Sequence, residues 1–272
     1  MSSIFKMTEN ISLKQGYRNV YEYMNKSLAG IINGQYKVSF WDLLDSCMEN
    51  WKYRRSATSI KQYFEQLHIN KWQQPEDMSD QDILYAFELF MNLMVCAKDM
   101  ANSLFCGQYK YIELTEKHRN VTEESIKCIL EQNGMTYTHV EDKIILRKIN
   151  VSVDASLHIE EDLDNLLLGY YDIRNLEDAT YKKMTLSRIA NFLEKRRSEF
   201  KRDGVKQISD TVFFALNNMD IRHGKTQIGL SEDDELKVLD RVFEMAIFLM
   251  QYTKIISYKN MIDMYKNVKN IN

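Results

Sequence analysis

Residues that interrupt helices are scarce in this chain, and that scarcity constrains its fold more than any other feature. Among 272 residues there is one proline, Pro75, and there are nine glycines. β-Sandwiches and barrels need many turns, whereas proline and glycine are the residues that break helices. The sequence therefore predicts a mostly α protein, made of helical bundles.

One segment alternates between apolar and polar residues instead of following a helical period. Residues 135–140 alternate and suit a first strand, Glu141-Asp142 suits a turn, and residues 143–149 suit the second strand of a hairpin. Alternation over a few residues is typical of a half-buried strand. We therefore expect one small inserted β-hairpin at about 135–150, with strand confined to it. A lone hairpin is marginal in water, so it should lie on helices.

Apolar residues elsewhere recur at three- and four-residue steps, which predicts helices. The predicted segments include residues 10–33, 176–202 and 205–218, together with a long last helix that runs past Met261. Serines that precede apolar runs are candidate N-caps. These are Ser39, Ser56, Ser79 and Ser231.

The most apolar run, Ile83 to Leu104, predicts a central helix that begins behind Ser79. Three charged residues within it make a membrane span improbable, because charges are costly in a bilayer. These are Glu88, Lys98 and Asp99. We expect the core to include Leu89, Phe90, Leu93 and Met94.

Residues 106–121 mix charged and aromatic residues without a clear period, and a linker is predicted there. The predicted domains are an N-terminal helical bundle (1–105) and a second helical domain (122–272) that carries the hairpin. Thr122 is expected to cap a short helix, and Asn133-Gly134 to end it.

Charge and cysteine usage limit the classes of function. A net charge of −3 excludes a broadly basic nucleic-acid binder but leaves room for a local basic patch. The four cysteines form no C-x-x-C pair, and no histidine lies at metal-ligand spacing from them. Residues 1–10 contain no apolar core of a secretory signal. We expect a protein of the reducing cytoplasm, with no metal and no cofactor.

The densest group of hydrogen-bonding side chains comprises Asn217, Asn218, Asp220, Arg222 and His223. A neutral imidazole can act as general base or acid. Arginine can hold a phosphate or a developing oxyanion. In this hypothesis Asp220 orients the histidine ring, and the asparagines position a backbone or a ribose hydroxyl. Such groups suit metal-free RNA cleavage, in which the base takes the 2′-hydroxyl proton. The structural alternative is a helix corner tied by hydrogen bonds to backbone carbonyls.

Two basic segments are candidate nucleic-acid contacts. Arg188, Lys195 and Arg202 are seven residues apart, so on one helix they would share a face that could grip phosphates. Acidic neighbours at 194 and 199 favour the alternative of an ordinary salt-laced surface. The aromatic and basic residues 51–55 suit either base stacking or a junction between helices.

The chain resembles bacterial HEPN-type helical domains over roughly residues 122–262. The resemblance is carried by a short helix, a hairpin ending in Ile-Ile-Leu, long helices, and Leu-Asn-Asn followed by Ile-Arg-His-Gly. It implies an abortive-infection or toxin protein of antiviral defence, whose helical units form a homodimer and cleave RNA. A regulator or antitoxin is the protein partner that it implies.

The hallmark of the HEPN family is an arginine, often a polar residue after it, four to six further residues, and a histidine. His223 matches the histidine and Asn218 the polar position, but Asn217 occupies the arginine position. Arg222 stands beside the histidine instead. The alternative function is therefore a catalytically silent helical module that binds a protein or nucleic acid.

Overall fold

The computed structural model describes residues 10–32, 36–105, 109–201, 204–218 and 231–269. Within these ranges the chain forms eleven α-helices and two antiparallel two-stranded hairpins. The predicted mostly α fold is confirmed. The chain divides into two compact units, Met1–Ile149 and Asn150–Asn272. This division differs from the predicted one, because the hairpin at 135–148 belongs to the first unit.

The first unit contains six of these helices and both hairpins. In chain order they are α1 (Leu13–Met24), β1 (Ser27–Ile32), β2 (Tyr36–Ser39), α2 (Phe40–Cys47), α3 (Ile60–Gln66), α4 (Asp80–Met94), α5 (Ala97–Leu104), α6 (Tyr109–Gln132), β3 (Met135–Val140) and β4 (Lys143–Lys148). 

Serine caps start the helices largely where the sequence predicts them. The Ser39 hydroxyl accepts the Asp42 N–H at 3.1 Å, and the Asp42 carboxylate accepts the Ser39 N–H at 2.8 Å. Ser79 caps α4 through the same reciprocal arrangement. The cap of α3 is Ser59 rather than Ser56. Each of these reciprocal serine–aspartate caps satisfies backbone N–H donors that a helix start leaves without partners.

The core of the first unit centres on α4, as predicted. Leu89, Phe90, Leu93 and Met94 are all buried. The helix does not continue to Leu104, however. It ends at Met94, and the Cys96 thiol lies 3.2 Å from the Leu93 carbonyl where the chain leaves the helical path. The predicted single helix is thus two helices, α4 and α5.

Strands β3 and β4 pair in the predicted register, with Val140 opposite Lys143. Glu141 in the turn has a φ of 55°, the left-handed conformation that tight hairpin turns require. Helix α4 covers one edge of β4. The side-chain oxygen of Asn92 accepts a hydrogen bond from the Ile144 N–H at 2.9 Å, and the side-chain nitrogen of Asn92 donates to the Ile144 carbonyl at 2.8 Å. Two backbone groups that would otherwise be orphaned are thereby satisfied.

The predicted helix over residues 10–33 is wrong in its second half. Helix α1 ends at Met24, where the Asn25 side chain donates to the Tyr21 carbonyl at 2.8 Å. Residues 27–32 and 36–39 then pair as the antiparallel strands β1 and β2, so strand is not confined to 135–150. A short apolar run that includes β-branched residues fits either structure, and here tertiary context favours the strand.

The predicted linker at 106–121 is also wrong for its described part, because residues 109–121 belong to α6. Thr122 lies inside this helix rather than at its start. Small polar residues occupy part of its buried face and hide the helical period. Thr115 donates to the Tyr111 carbonyl at 2.8 Å, and Ser125 donates to the Val121 carbonyl at 2.6 Å. These bonds allow hydroxyls to be buried.

The second unit contains five α-helices within the described ranges. They are α7 (Val151–Ser156), α8 (Glu161–Tyr170), α9 (Ala179–Glu194), α10 (Val205–Asn218) and α11 (Glu232–Lys269). Helix α10 has the predicted bounds, whereas α9 ends at Glu194 and a short 3-10 helix, Arg197–Phe200, follows. Ser231 caps α11 by accepting the Asp234 N–H at 3.2 Å.

Helix α11 packs against α7, α9 and α10 and forms the spine of the second unit. The Tyr170 and Phe243 rings stack with centroids 3.6 Å apart in its core. Beside them the buried Lys182 ammonium pairs with Asp240 at 2.6 Å. None of the helices within the described ranges has both the length and the apolar character needed to cross a membrane.

Candidate functional site

Helix α10 brings the two predicted asparagines to an exposed position. Asn217 and Asn218 are the last two residues of this helix, and both are exposed. The Asn218 amide donates to the Phe214 carbonyl at 2.7 Å. Asp220, Arg222 and His223 lie outside the described residues, so their assembly into one site stays a prediction.

The predicted basic face divides where α9 ends. Arg188 is exposed on α9, and Lys195 is exposed at its C-cap, while Arg202 lies outside the described residues. A 3-10 helix follows Lys195, so α9 does not extend to position 202. Arg197 forms an ion pair with Glu194 at 3.1 Å, as expected if this segment is an ordinary surface of paired charges.

Residues 51–55 form contacts typical of a junction. The Trp51 ring packs edge-on against Tyr63 at a centroid distance of 5.3 Å. The Tyr53 hydroxyl donates to Asp142 in the hairpin turn. Arg54 donates to the Ala57 carbonyl at 2.9 Å. These aromatic and basic groups are engaged within the first unit, which favours the structural alternative for this segment.

A pocket of about 500 Å³ opens in the second unit, and sequence analysis did not find it. Its walls come from the α7–α8 connection, the end of α9, the 3-10 helix, and residues 253–260 of α11. The volume lies within the range of sites that bind small molecules and cofactors.

A histidine held by an aspartate forms one wall of this pocket. The Asp164 carboxylate accepts the His158 backbone N–H at 2.9 Å and lies 3.1 Å from the His158 ring Nδ1. His158 has a φ of 64°, which is costly for a residue other than glycine. In the neutral ring this carboxylate favours the tautomer with the proton on Nδ1 and the lone pair on Nε2.

Two cations line the pocket from different elements. The Arg196 guanidinium lies 3.9 Å from the Phe192 ring centroid and donates to the Phe192 carbonyl at 3.4 Å. Its Nη2 is 3.8 Å from a Glu160 oxygen. Lys254 enters from α11. Polar groups that can donate or accept hydrogen bonds come from Ser257, Tyr258 and Asn260, and a carboxylate comes from Glu199.

The sequence carries little signal for this pocket. His158 lies in the connection between α7 and α8, which carries no recognisable motif. Asp164 belongs to an acidic run of the kind that is typical of a solvated helix face. The contact between them depends on the left-handed backbone at His158 and on where α8 begins. Neither follows from residue spacing.

The fold and its sites define a class: a mostly α protein whose second unit carries both the predicted polar segment and a pocket lined by two cations and a carboxylate. Comparison with protein-family models, curated proteins and solved structures finds no match. The HEPN resemblance therefore rests on the sequence motif alone.

Proposed function

We propose that this protein is a HEPN-like, metal-independent endoribonuclease of the antiviral-defence or toxin type. His223 is the general base or acid, and Arg222 binds the phosphate. Asp220 orients the His223 ring, while Asn217 and Asn218 position the RNA. The exposed cations Arg188 and Lys195, together with Arg202, contact flanking phosphates. The resemblance also supports a homodimer that a protein partner inhibits, and the cysteine pattern supports a location in the cytoplasm.

The observation that supports this proposal is the exposed end of α10. Asn217 and Asn218 face solvent there, in the residues that lead directly to the Arg-His pair. Helix α10 packs on α11, and Leu216 anchors its last turn because this side chain is buried. An accessible pair of amides on an anchored helix is suited to holding a polymeric substrate, because rigid elements position groups more accurately than loops do.

The chemistry follows from the groups in the proposed site. The base removes the proton from a ribose 2′-hydroxyl, and the 2′-oxygen attacks the adjacent phosphorus. A bond forms between phosphorus and the 2′-oxygen, and the bond to the 5′-oxygen breaks as that oxygen takes a proton. Arg222 stabilises the pentacoordinate phosphorane with its planar fork of donors. The products end in a 2′,3′-cyclic phosphate and a 5′-hydroxyl.

The first test compares purified variants on RNA in the presence of EDTA. His223→Ala should lower the cleavage rate by about 10²–10⁴-fold, the usual contribution of a general acid or base. Arg222→Lys should also lower it, because lysine keeps the charge but loses the fork. The control is His139→Ala, an exposed histidine on β3. If His223→Ala cleaves at the wild-type rate, the assignment of His223 is wrong.

A binding module without catalysis is the second candidate function, and the end of α11 favours it. Exposed apolar residues lie three and four positions apart along this stretch, as in the seam of a coiled coil. They are Ile255, Tyr258, Ile262 and Tyr265. Lys254, Lys259 and Lys266 flank the seam, so it suits an acidic amphipathic helix of a protein partner.

This second function is tested with a synthetic acidic amphipathic peptide added to the whole protein. Ile262→Glu should remove peptide binding by placing a charge in the seam. The matched control is Lys237→Glu, an exposed position near the start of the same helix. Peptide binding that is lost in Ile262→Glu, together with wild-type protein that cleaves no RNA, would favour the binding module over the ribonuclease.

A further inference from the structure

We infer that the pocket lined by His158, Arg196 and Lys254 binds a ribonucleoside phosphate, either a free nucleotide or the phosphorylated end of an RNA chain. It uses none of the residues assigned to RNA cleavage. The inference therefore does not rest on the proposed ribonuclease.

The two cations favour a phosphate. Arg196 is already oriented, because its guanidinium lies on the Phe192 ring. The distance of 3.8 Å between Arg196 Nη2 and the Glu160 carboxylate is longer than a hydrogen bond. Glu160 therefore offsets part of the positive charge of Arg196 without occupying one of its N–H donors. Lys254 lines the same pocket from α11. Phosphate oxygens are among the ligands that guanidinium and ammonium groups bind most strongly.

The remaining groups favour a nucleoside attached to that phosphate. Glu199 would repel a bare anion, but a carboxylate accepts hydrogen bonds from ribose hydroxyls. The Nε2 lone pair of His158 is a second acceptor. Ile159 and Ile256 give the pocket apolar surface, and the Tyr258 ring, 52% exposed, can stack on a base. An acid and two cations in one pocket therefore suit a ligand with one anionic end and one hydroxyl-bearing end.

Isothermal titration calorimetry of the full-length protein tests the inference. The ligands are adenosine monophosphate and the other ribonucleoside monophosphates, adenosine, and inorganic phosphate. A monophosphate contains no phosphodiester, so RNA cleavage cannot influence the result. We expect saturable binding of at least one monophosphate, with adenosine and inorganic phosphate each at least roughly tenfold weaker, since each lacks charge-assisted hydrogen bonds or stacking that the nucleotide makes.

Variants of the pocket assign the binding to its residues. Lys254→Gln should weaken nucleotide binding by roughly ten- to hundredfold, and Lys254→Arg should restore most of it. Glu199→Gln should weaken nucleotide binding, because the carboxylate that accepts the ribose hydroxyls is lost. It should leave the weak binding of inorganic phosphate unchanged or make it stronger. Lys206→Gln, an exposed lysine on α10 outside the pocket, is the matched control. The thermal melting of each variant verifies that it is folded.

The source of the ligand is distinguished with short RNA in the His223→Ala background. Tighter binding of a 5′-phosphorylated trinucleotide than of a mononucleotide, weakened by Lys254→Gln, assigns the pocket to an RNA end, whereas equal binding, or tighter binding that Lys254→Gln leaves unchanged, assigns it to free nucleotides. Absence of saturable binding for every monophosphate and for the phosphorylated trinucleotide overturns the inference. So does nucleotide binding that Lys254→Gln leaves unchanged, or inorganic phosphate that binds as tightly as any nucleotide, which would show an adventitious anion only.

Discussion

One buried amide links α4 to β4, and its contribution can be measured. Asn92→Leu keeps a similar volume but leaves the N–H and the carbonyl of Ile144 without their partner. An unsatisfied buried polar group costs about 1–3 kcal/mol, so the free energy of unfolding should fall by at least that amount. Urea denaturation measures it. Asn120→Leu, at an exposed position on α6, is the control, and an equal loss in both variants would refute the role of Asn92.

Another residue makes stability depend on pH. The His118 ring stacks on Tyr23 with centroids 5.0 Å apart, and its Nδ1 lies 2.9 Å from the Leu114 carbonyl. Burial lowers the pKa of His118, the Leu114 carbonyl opposes that shift, and Lys117 and Lys26 add to it. The folded state thus prefers the neutral ring. The contribution of the neutral His118 ring to the free energy of unfolding is complete above the ordinary imidazole pKa of about 6.5, and it is lost as pH falls below that value.

The pH dependence is tested by replacing His118 with phenylalanine, which keeps a stacking ring but cannot titrate. Between pH 7.5 and 5.5 the wild type should lose more free energy of unfolding than His118→Phe does. Chemical denaturation at both pH values provides the comparison. Parallel losses in the two proteins would mean that the burial of His118 does not influence stability in this range.

At the scale of elements, α1 and α6 approach closely at a glycine. A Cβ atom at Gly16 would lie 2.8 Å from two Ile129 side-chain carbons. Replacing a helical glycine with alanine usually stabilises a protein by about 0.5–1 kcal/mol. Here Gly16→Ala should instead destabilise it, by about 1–3 kcal/mol, the usual cost of overpacking.

A second substitution separates this clash from other effects of the alanine. In the Ile129→Ala background, Gly16→Ala should cost less than it does in the wild type, because the crowded methyl groups are gone. Thermal or urea unfolding of the four proteins gives the interaction energy. Additive effects of the two substitutions would contradict the close approach.

The elements that the sequence predicts are those specified by local signals. Ser39 and Ser79 cap helices through acids three residues later, and the β3–β4 register follows from alternation. The errors arise where tertiary context decides. The buried hydroxyls of Thr115 and Ser125 hide the period of α6, and the short apolar stretch after Met24 pairs as strands.

The candidate sites follow the same rule. The position of Asn217 and Asn218 at the end of α10 could be predicted, because a strongly periodic helix ends there. The contact between His158 and Asp164 could not, because it requires a left-handed backbone and the exact start of α8. Arg196 follows Lys195 in the sequence, but its place in one pocket with Lys254 needs the packing of α11 beside the end of α9.

At the scale of the whole molecule, the residues proposed for cleavage and those proposed for nucleotide binding both belong to the second unit. The first unit contributes a separate core around α4 and the two hairpins. We propose that the chain combines a metal-free ribonuclease with a ribonucleoside-phosphate site on one helical scaffold.

The most direct test of the central claim is the chemistry of the cleaved ends. The purified wild-type protein is incubated in EDTA with a defined RNA and with the same sequence carrying 2′-O-methyl groups, and the products are analysed by mass spectrometry. The account predicts cleavage of the RNA alone, with 2′,3′-cyclic phosphate and 5′-hydroxyl ends, because the 2′-oxygen is the nucleophile. Cleavage of both substrates, or of neither, would contradict it.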